Sequence, residues 1–183
     1  MNINKKKLFI LPVIFSAFLM LCGCTYQEVH QKAYLRNISV SGDDIKTVFM
    51  NFYNEDLSPA KTENCDFESI LKNSEILSGK SIFTGHTEVI ILGDCNYTET
   101  LKYILEEWKV SPSCLIVYGG ENSGNIIENS DSDTLADILR TAVKQKRIPE
   151  NDIITVLSSL LKNNQAEIPV ITSDGNLDKT IIS

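Results

Sequence analysis

The sequence predicts an α+β fold: a mixed β-sheet with packed helices in a single domain, containing one βαβ unit at about residues 87–118. Three patterns carry this. Val89-Ile90-Ile91-Leu92 and Cys114-Leu115-Ile116-Val117-Tyr118 are continuous apolar runs of strand length, the pattern of strands covered on both faces. Between them Tyr97, Leu101, Ile104, Leu105 and Trp108 recur at helical spacing on one face. Strand, helix and strand in that order usually form a right-handed parallel crossover. Residues 33–40 and 45–53 instead flank Ser41-Gly42-Asp43-Asp44 and read as an antiparallel hairpin, so the sheet is mixed.

The other elements follow in chain order. Residues 54–64 hold Ser58, Pro59 and several charges without periodicity and read as a loop. Phe67, Ile70, Leu71, Ile76 and Leu77 lie near helical spacing, with Asp66 available as a cap and Gly79 as the stop. A connector over 80–86 leads into the first buried strand, and Pro112 marks the exit from the helix that follows it. Beyond the second buried strand, Leu135, Ile138, Leu139 and Ala142 share a helix face within 134–143. Ile153, Val156, Leu157, Leu160 and Leu161 share another, with Pro149 just ahead of it and the basic turn 144–147 between the two. Residues 167–172 read as a strand, 173–176 as a turn and 177–183 as a second strand.

The N-terminal segment is of another kind. Lys5-Lys6-Lys7 precede the apolar run 8–21, which ends in Leu21-Cys22-Gly23-Cys24. Cations, a greasy segment and small residues before a cysteine form the pattern of an export signal closed by a lipobox, in which Cys24 is acylated and becomes the new N-terminus. A membrane-spanning anchor is the rival reading. The run is 14 residues long, about 21 Å of helix against a hydrocarbon core of about 30 Å, and Pro12 weakens it further. A lipobox cysteine carries at least two acyl chains, and each buried methylene contributes about 0.8 kcal/mol, so attachment is stable. This divides the chain into a signal peptide (1–23), a flexible tether (24–32) and a domain (33–183) on the extracytoplasmic face.

Charge and cysteines narrow the classes. Without residues 1–23 the chain keeps 160 residues, 14 of them basic and 24 acidic, a formal charge of −10. That is the wrong sign for wrapping a phosphate backbone, so nucleic acid is excluded as a partner, and a polybasic grip on anionic lipid is disfavoured. Cys65, Cys95 and Cys114 remain as thiols after Cys22 leaves and Cys24 is blocked. Three is an odd number for pairing, and no metal-ligand spacing is present. Cys95 and Cys114 sit at the edges of apolar runs and read as small buried hydrophobes.

Catalytic patterns are missing. Tyr118-Gly119-Gly120-Glu121-Asn122-Ser123-Gly124 follows a strand, but its glycines lack dinucleotide-loop spacing and Glu121 would repel an anion, so it reads as a turn. There is no G-x-S-x-G motif. His30 falls in the tether, and His86 precedes a strand, where it reads as a hydrogen-bonded structural histidine ahead of a general base, with pH sensitivity expected if it is buried near Asp94. Glu106-Glu107 and Asp131-Ser132-Asp133 are neighbours in sequence that do not face each other, and the latter lacks the rest of a calcium loop. No catalytic, metal or cofactor residue is assigned, and the chain is not read as an enzyme.

Gly85-His86-Thr87-Glu88-Val89-Ile90-Ile91-Leu92-Gly93-Asp94 resembles a recurrent stretch of the Ger(x)C family, the lipoprotein C subunits of spore germinant receptors. There, a small residue and a histidine lead into an apolar strand ending in glycine and an acid, followed by a helix, a strand and a short loop. Residues 98–108, 114–118 and 119–124 supply these in order. The resemblance runs back through Gly42 and Glu28 to the lipobox, and forward to Ala166-Glu167-Ile168-Pro169-Val170-Ile171, similar to the strand closing the family's first domain. Two features depart from it: Thr25-Tyr26 stand where the family commonly has Trp-Asp, and the sequence stops where further domains would normally begin, as in a truncated paralogue. The resemblance implies an exported lipoprotein on the outer face of the forespore or spore inner membrane. It would be a non-catalytic subunit in nutrient germination, held in lipid through acylated Cys24 and assembling with A- and B-type membrane subunits.

The alternative is a small solute-binding lipoprotein, which needs a two-lobed cleft; a surface hydrolase lacks its nucleophile motif. A closed apolar pocket with converging polar groups would favour solute binding. A bare strand edge near the C-terminus would favour docking.

Overall fold

The computed structural model describes residues 32–42, 46–53, 60–65, 67–129, 132–171 and 176–183. Chain order is β1 (Lys32–Ser41), β2 (Lys46–Phe52), β3 (Ala60–Cys65), α1 (Phe67–Ser78), β4 (Ser81–Phe83), β5 (Val89–Leu92), α2 (Tyr97–Glu106), β6 (Leu115–Tyr118), a 3-10 turn (Gly120–Asn122), α3 (Ser123–Asn129), α4 (Ser132–Lys144), α5 (Ile153–Asn163), β7 (Ala166–Ile171) and β8 (Leu177–Ile182). The strands form one mixed sheet in the order β3-β2-β1-β5-β6-β7-β8, with β4 against β1. The expected α+β domain with a mixed sheet is therefore what the chain builds. Lys32, placed at the end of the tether by the sequence, is the first residue of β1.

β1 is the pivot. It pairs antiparallel with β2 on one edge, as the predicted hairpin requires, and parallel with β4 and then β5 on the other. Lys32, Ala33 and Tyr34 face β4, while Asn37 to Val40 face β5, and a bulge at Leu35/Asn37 separates the two stretches. A tight turn from Thr84 to Thr87 makes the matching offset on the partner side, with the Thr87 N–H donating to the Thr84 carbonyl at 3.0 Å and the Thr87 hydroxyl at 2.7 Å. The Gly85-His86 step is thus a device that lets one segment serve the same strand edge twice.

β5 and β6 are parallel in the register Val89↔Leu115 to Leu92↔Tyr118, with α2 between them in sequence, so the predicted βαβ unit is present. Period two sorts their side chains onto two faces. Ile90, Leu92 and Ile116 enter one core with Ile38, Val40, Val48 and Met50, closed by Ile70 of α1, Leu101 and Ile104 of α2, and Val156 and Leu160 of α5. Val89, Ile91, Leu115 and Val117 enter a second core closed by Ile127 of α3 and Leu135, Ala136 and Leu139 of α4. A fully buried aliphatic side chain contributes about 1.5–3 kcal/mol, so these short strands carry much of the fold's stability.

The helices at 134–143 and 153–161 do form, but on opposite faces of the sheet. Between them the chain passes along the edge of β6: the Asn151 carbonyl accepts from the Ile116 N–H at 2.7 Å, Asn151 Nδ2 donates to the Ile116 carbonyl at 2.8 Å, and Asp152 bridges Leu115. β7 joins β6 at Tyr118↔Val170, and Pro169 next to that pair has no N–H to donate. The chain thus crosses the sheet where two parallel strands splay. Asp152, rather than Pro149, starts α5, accepting from the Thr155 N–H at 3.0 Å and the Thr155 hydroxyl at 2.6 Å; Asn164, at φ 55°, ends it.

Three elements differ from the sequence reading. Residues 60–64, read as the end of a loop over 54–64, form β3 with Cys65 on the edge of β2. The connector 80–86 contains β4, and the turn at 119–124 leads into α3 from Ser123. The spacing-based face of α1 also fails at its end: Ile70 and Ser74 are buried, whereas Ile76 and Leu77 are 79% and 82% exposed.

Candidate functional site

Cys24, the residue to which sequence assigns a chemical role, lies outside the described residues, as do His30, Asp66 and Asp131. Candidate groups in the domain itself stand at the two ends of its parallel strands. At the carboxyl ends, the loops after β5 and β6 leave toward opposite faces, since α2 packs into the first core and α3 into the second. Open sheets place ligands in such a crevice. Here the chain fills it. A Cβ on Gly93 would stand 2.6 Å from Ser41 Cβ and 3.0 Å from the Gly120 carbonyl oxygen, and one on Gly119 would stand 2.7 Å from Ile91 Cγ2. These glycines serve close packing, which agrees with the sequence reading that residues 119–124 are no phosphate loop.

On the rim of that crevice the Tyr118 hydroxyl donates to Asp94 Oδ1 at 2.6 Å. The hydrogen bond to Asp94, then burial, then the Asp94 charge push the Tyr118 hydroxyl well above its ordinary range. Tyr118 is consequently a proton-retaining donor, unsuited to act as a base near neutrality. His86 does not join Asp94: its exposed ring packs 5.3 Å from Phe83 and 6.0 Å from Tyr34. The burial near Asp94 weighed for His86 from sequence is not what forms, because the turn at 84–87 directs His86 toward the β4 side.

At the amino ends stands a charge cluster that sequence did not find. Glu88, just ahead of β5, accepts from the Tyr53 hydroxyl at 2.8 Å and lies 3.8 Å from both Arg36 of β1 and Arg140 of α4. The Arg36 guanidinium also covers the Tyr53 ring at 4.7 Å. Burial first, and then the bond to Glu88, raise the Tyr53 hydroxyl above its usual range. The four residues come from separate parts of the chain, so no local motif could reveal them. Each acid, base and ring in the cluster is engaged with another member, which makes it a tie between β1, β5 and α4 rather than a poised site.

The remaining candidates are dispersed. Glu106 and Glu107 line an open groove of about 560 Å³ between α1 and α2 together with Phe67, Glu68, Glu99 and Lys102. It is open to solvent and lacks the closure of a solute pocket. Cys114 is buried, and burial pushes its thiol far above the ordinary value, so it is an inert small hydrophobe as the sequence reading holds. Among the described residues, no group of three His, Cys, Asp or Glu could hold a metal ion. No helix among them is long and apolar enough to cross a membrane.

The open feature is an edge. β8 pairs antiparallel with β7 over Ala166↔Ile182 to Ile171↔Leu177 and, among the described residues, ends the strand order on that side. Ile181 on it is 65% exposed. An exposed strand edge presents unpaired backbone donors and acceptors to any chain that can add a strand. Comparison with known proteins finds no matching family model, no matching curated protein and no matching solved structure.

Proposed function

We propose that this chain is a membrane-tethered, non-catalytic subunit in spore germination, docking on A- and B-type membrane subunits of a germinant receptor. The observation that carries the docking role is the open edge of β8 with Ile181 exposed on it. The candidate chemical groups support the same reading, because the rim tyrosine holds its proton and the Glu88 cluster is internally paired. The lipobox ending in Cys24 and the Ger(x)C-like order of segments supply the tether and the context. Mechanistically, the lipid restricts the domain to the membrane surface and so raises its effective concentration toward membrane partners. Strand addition at β8 then supplies backbone hydrogen bonds, with Ile181 as an apolar anchor.

Gene deletion followed by nutrient germination of purified spores tests the role. Slowed or lost germination with at least one nutrient is expected; wild-type kinetics with every nutrient tried contradict it. Acylation is read by labelling with a fatty-acid analogue. Label is expected on the native chain and lost in Cys24→Ala, whereas equal labelling of the two refutes that attachment site.

A further inference from the structure

We infer that the last turn of α1 is a lipid-contacting wedge, with Ile76 and Leu77 inserting into the interface of the bilayer that carries the tether; this rests on acylation at Cys24. Leu77 follows Ile70 by seven residues and lies on nearly the same side of the helix, yet Ile70 is buried and Leu77 is 82% exposed. The helix therefore overhangs the layer that buries its first turns. Ile76 beside it is 79% exposed. Two adjacent, fully presented aliphatic side chains at a helix end have no structural use within the domain.

Their position gives the reason to choose lipid. The chain reverses at Gly79, at φ 64°, and enters β4, whose Ser81 pairs with Lys32, the first residue of β1. The overhang thus sits at the end of the domain where the segment from Cys24 arrives. Seven residues separate Cys24 from Lys32, and the eight Cα steps limit that end to about 28 Å from the acylated cysteine even at full extension. The opposite end of β1 lies roughly 30 Å further along the strand.

Charge and rigidity fit the same occupant. Lys72 stands one turn before Ile76 on α1 and Lys80 follows the turn at Gly79, cations at this end of the domain suited to anionic headgroups even though the domain as a whole is acidic. Glu75, the acid nearest the pair in sequence, is turned inward, its Oε1 accepting from the Ile82 N–H at 2.9 Å. The Ser78 hydroxyl accepts from the Lys80 N–H at 3.3 Å and holds the turn. Phe83, on the same short strand, adds a ring that is 40% exposed. An apolar tip with flanking cations is the composition of interfacial segments, whose apolar side sinks about 5–10 Å into the headgroup boundary.

The test uses the full acylated chain reconstituted into phosphatidylcholine–phosphatidylglycerol vesicles containing lipid brominated near the headgroup. Tryptophan quenching is compared for Leu77→Trp, for Glu121→Trp at the far end of the strands, and for the native chain, whose Trp108 is buried. Flotation of the chain with the vesicles reads the tether separately. We expect all three to float and Leu77→Trp to be quenched at least about twofold more than the other two. Flotation with equal quenching of Leu77→Trp and Glu121→Trp overturns the wedge while leaving the tether intact. Loss of flotation overturns the tether and the wedge with it.

Discussion

The centre and the margins of the sheet are built on opposite principles. In β5 all four side chains are buried, shared between two cores, and the strand is paired on both edges. β8 buries only Ile182, leaves its other residues half-buried or exposed, is paired on one edge among the described residues and shows Ile181 to solvent. β3 at the other margin consists of Ala60-Lys61-Thr62-Glu63-Asn64-Cys65, nearly without aliphatic residues. The centre spends its side chains on stability and leaves little backbone to offer; the margins contribute little stability and leave backbone available. The proposed docking role needs both, and it uses the edge.

The sharpest way to break that contrast is paired truncation. Ile91→Ala at the centre should cost about 2–5 kcal/mol, because it removes a fully buried side chain and leaves a cavity. Ile181→Ala at the margin should stay within about 0.5 kcal/mol. Urea unfolding of both variants checks this, and comparable losses would erase the distinction. The crossing point between the faces comes next. Asn151→Ala removes the Nδ2 donor to the Ile116 carbonyl and should cost about 1–3 kcal/mol by the same measurement, since that carbonyl loses a buried partner.

Glu88→Gln tests whether the charge cluster is a tie or an active group. The substitution keeps the shape but removes the charge facing Arg36 and Arg140, and a loss of about 1 kcal/mol is expected in unfolding, with germination unaltered. A germination defect in spores holding normal amounts of the variant would instead make the cluster functional. The smallest effect concerns alkaline pH. The folded state raises the Tyr118 and Tyr53 hydroxyls, so it binds protons that the unfolded chain releases above about pH 10. Their contribution is fully present at neutral pH and is lost as pH rises beyond that value. Thermal melts from neutral pH to above pH 10 should show a falling Tm, with a shallower fall in Tyr118→Phe.

Legibility in the sequence follows the same division. β5, β6 and α2 were readable because burial on two faces or on one forces an apolar run or a helical stripe into the residues themselves. β3 was not, since an edge strand takes its conformation from its partner, here through Val48↔Thr62 and its neighbours, and needs no apolar pattern of its own. β4 has three residues, too few for any period. α3 opens Ser123-Gly124-Asn125, turn-forming residues that hide the packing of Ile127. The exposure of Ile76 and Leu77 was invisible because helical spacing records which side a residue lies on, but not where the neighbouring layer stops. Of the candidate residues, Cys24 is proposed from sequence alone, while Arg36, Tyr53, Glu88 and Arg140 meet only through the fold.

We propose that the open edge of β8 is where this chain meets its partner. Ile181→Lys places on that edge the residue type that blocks strand addition, at a position whose side chain the domain does not use. Spores carrying Ile181→Lys should contain the protein at native abundance and germinate on nutrients as slowly as the deletion strain. Native germination kinetics at native abundance would contradict the account.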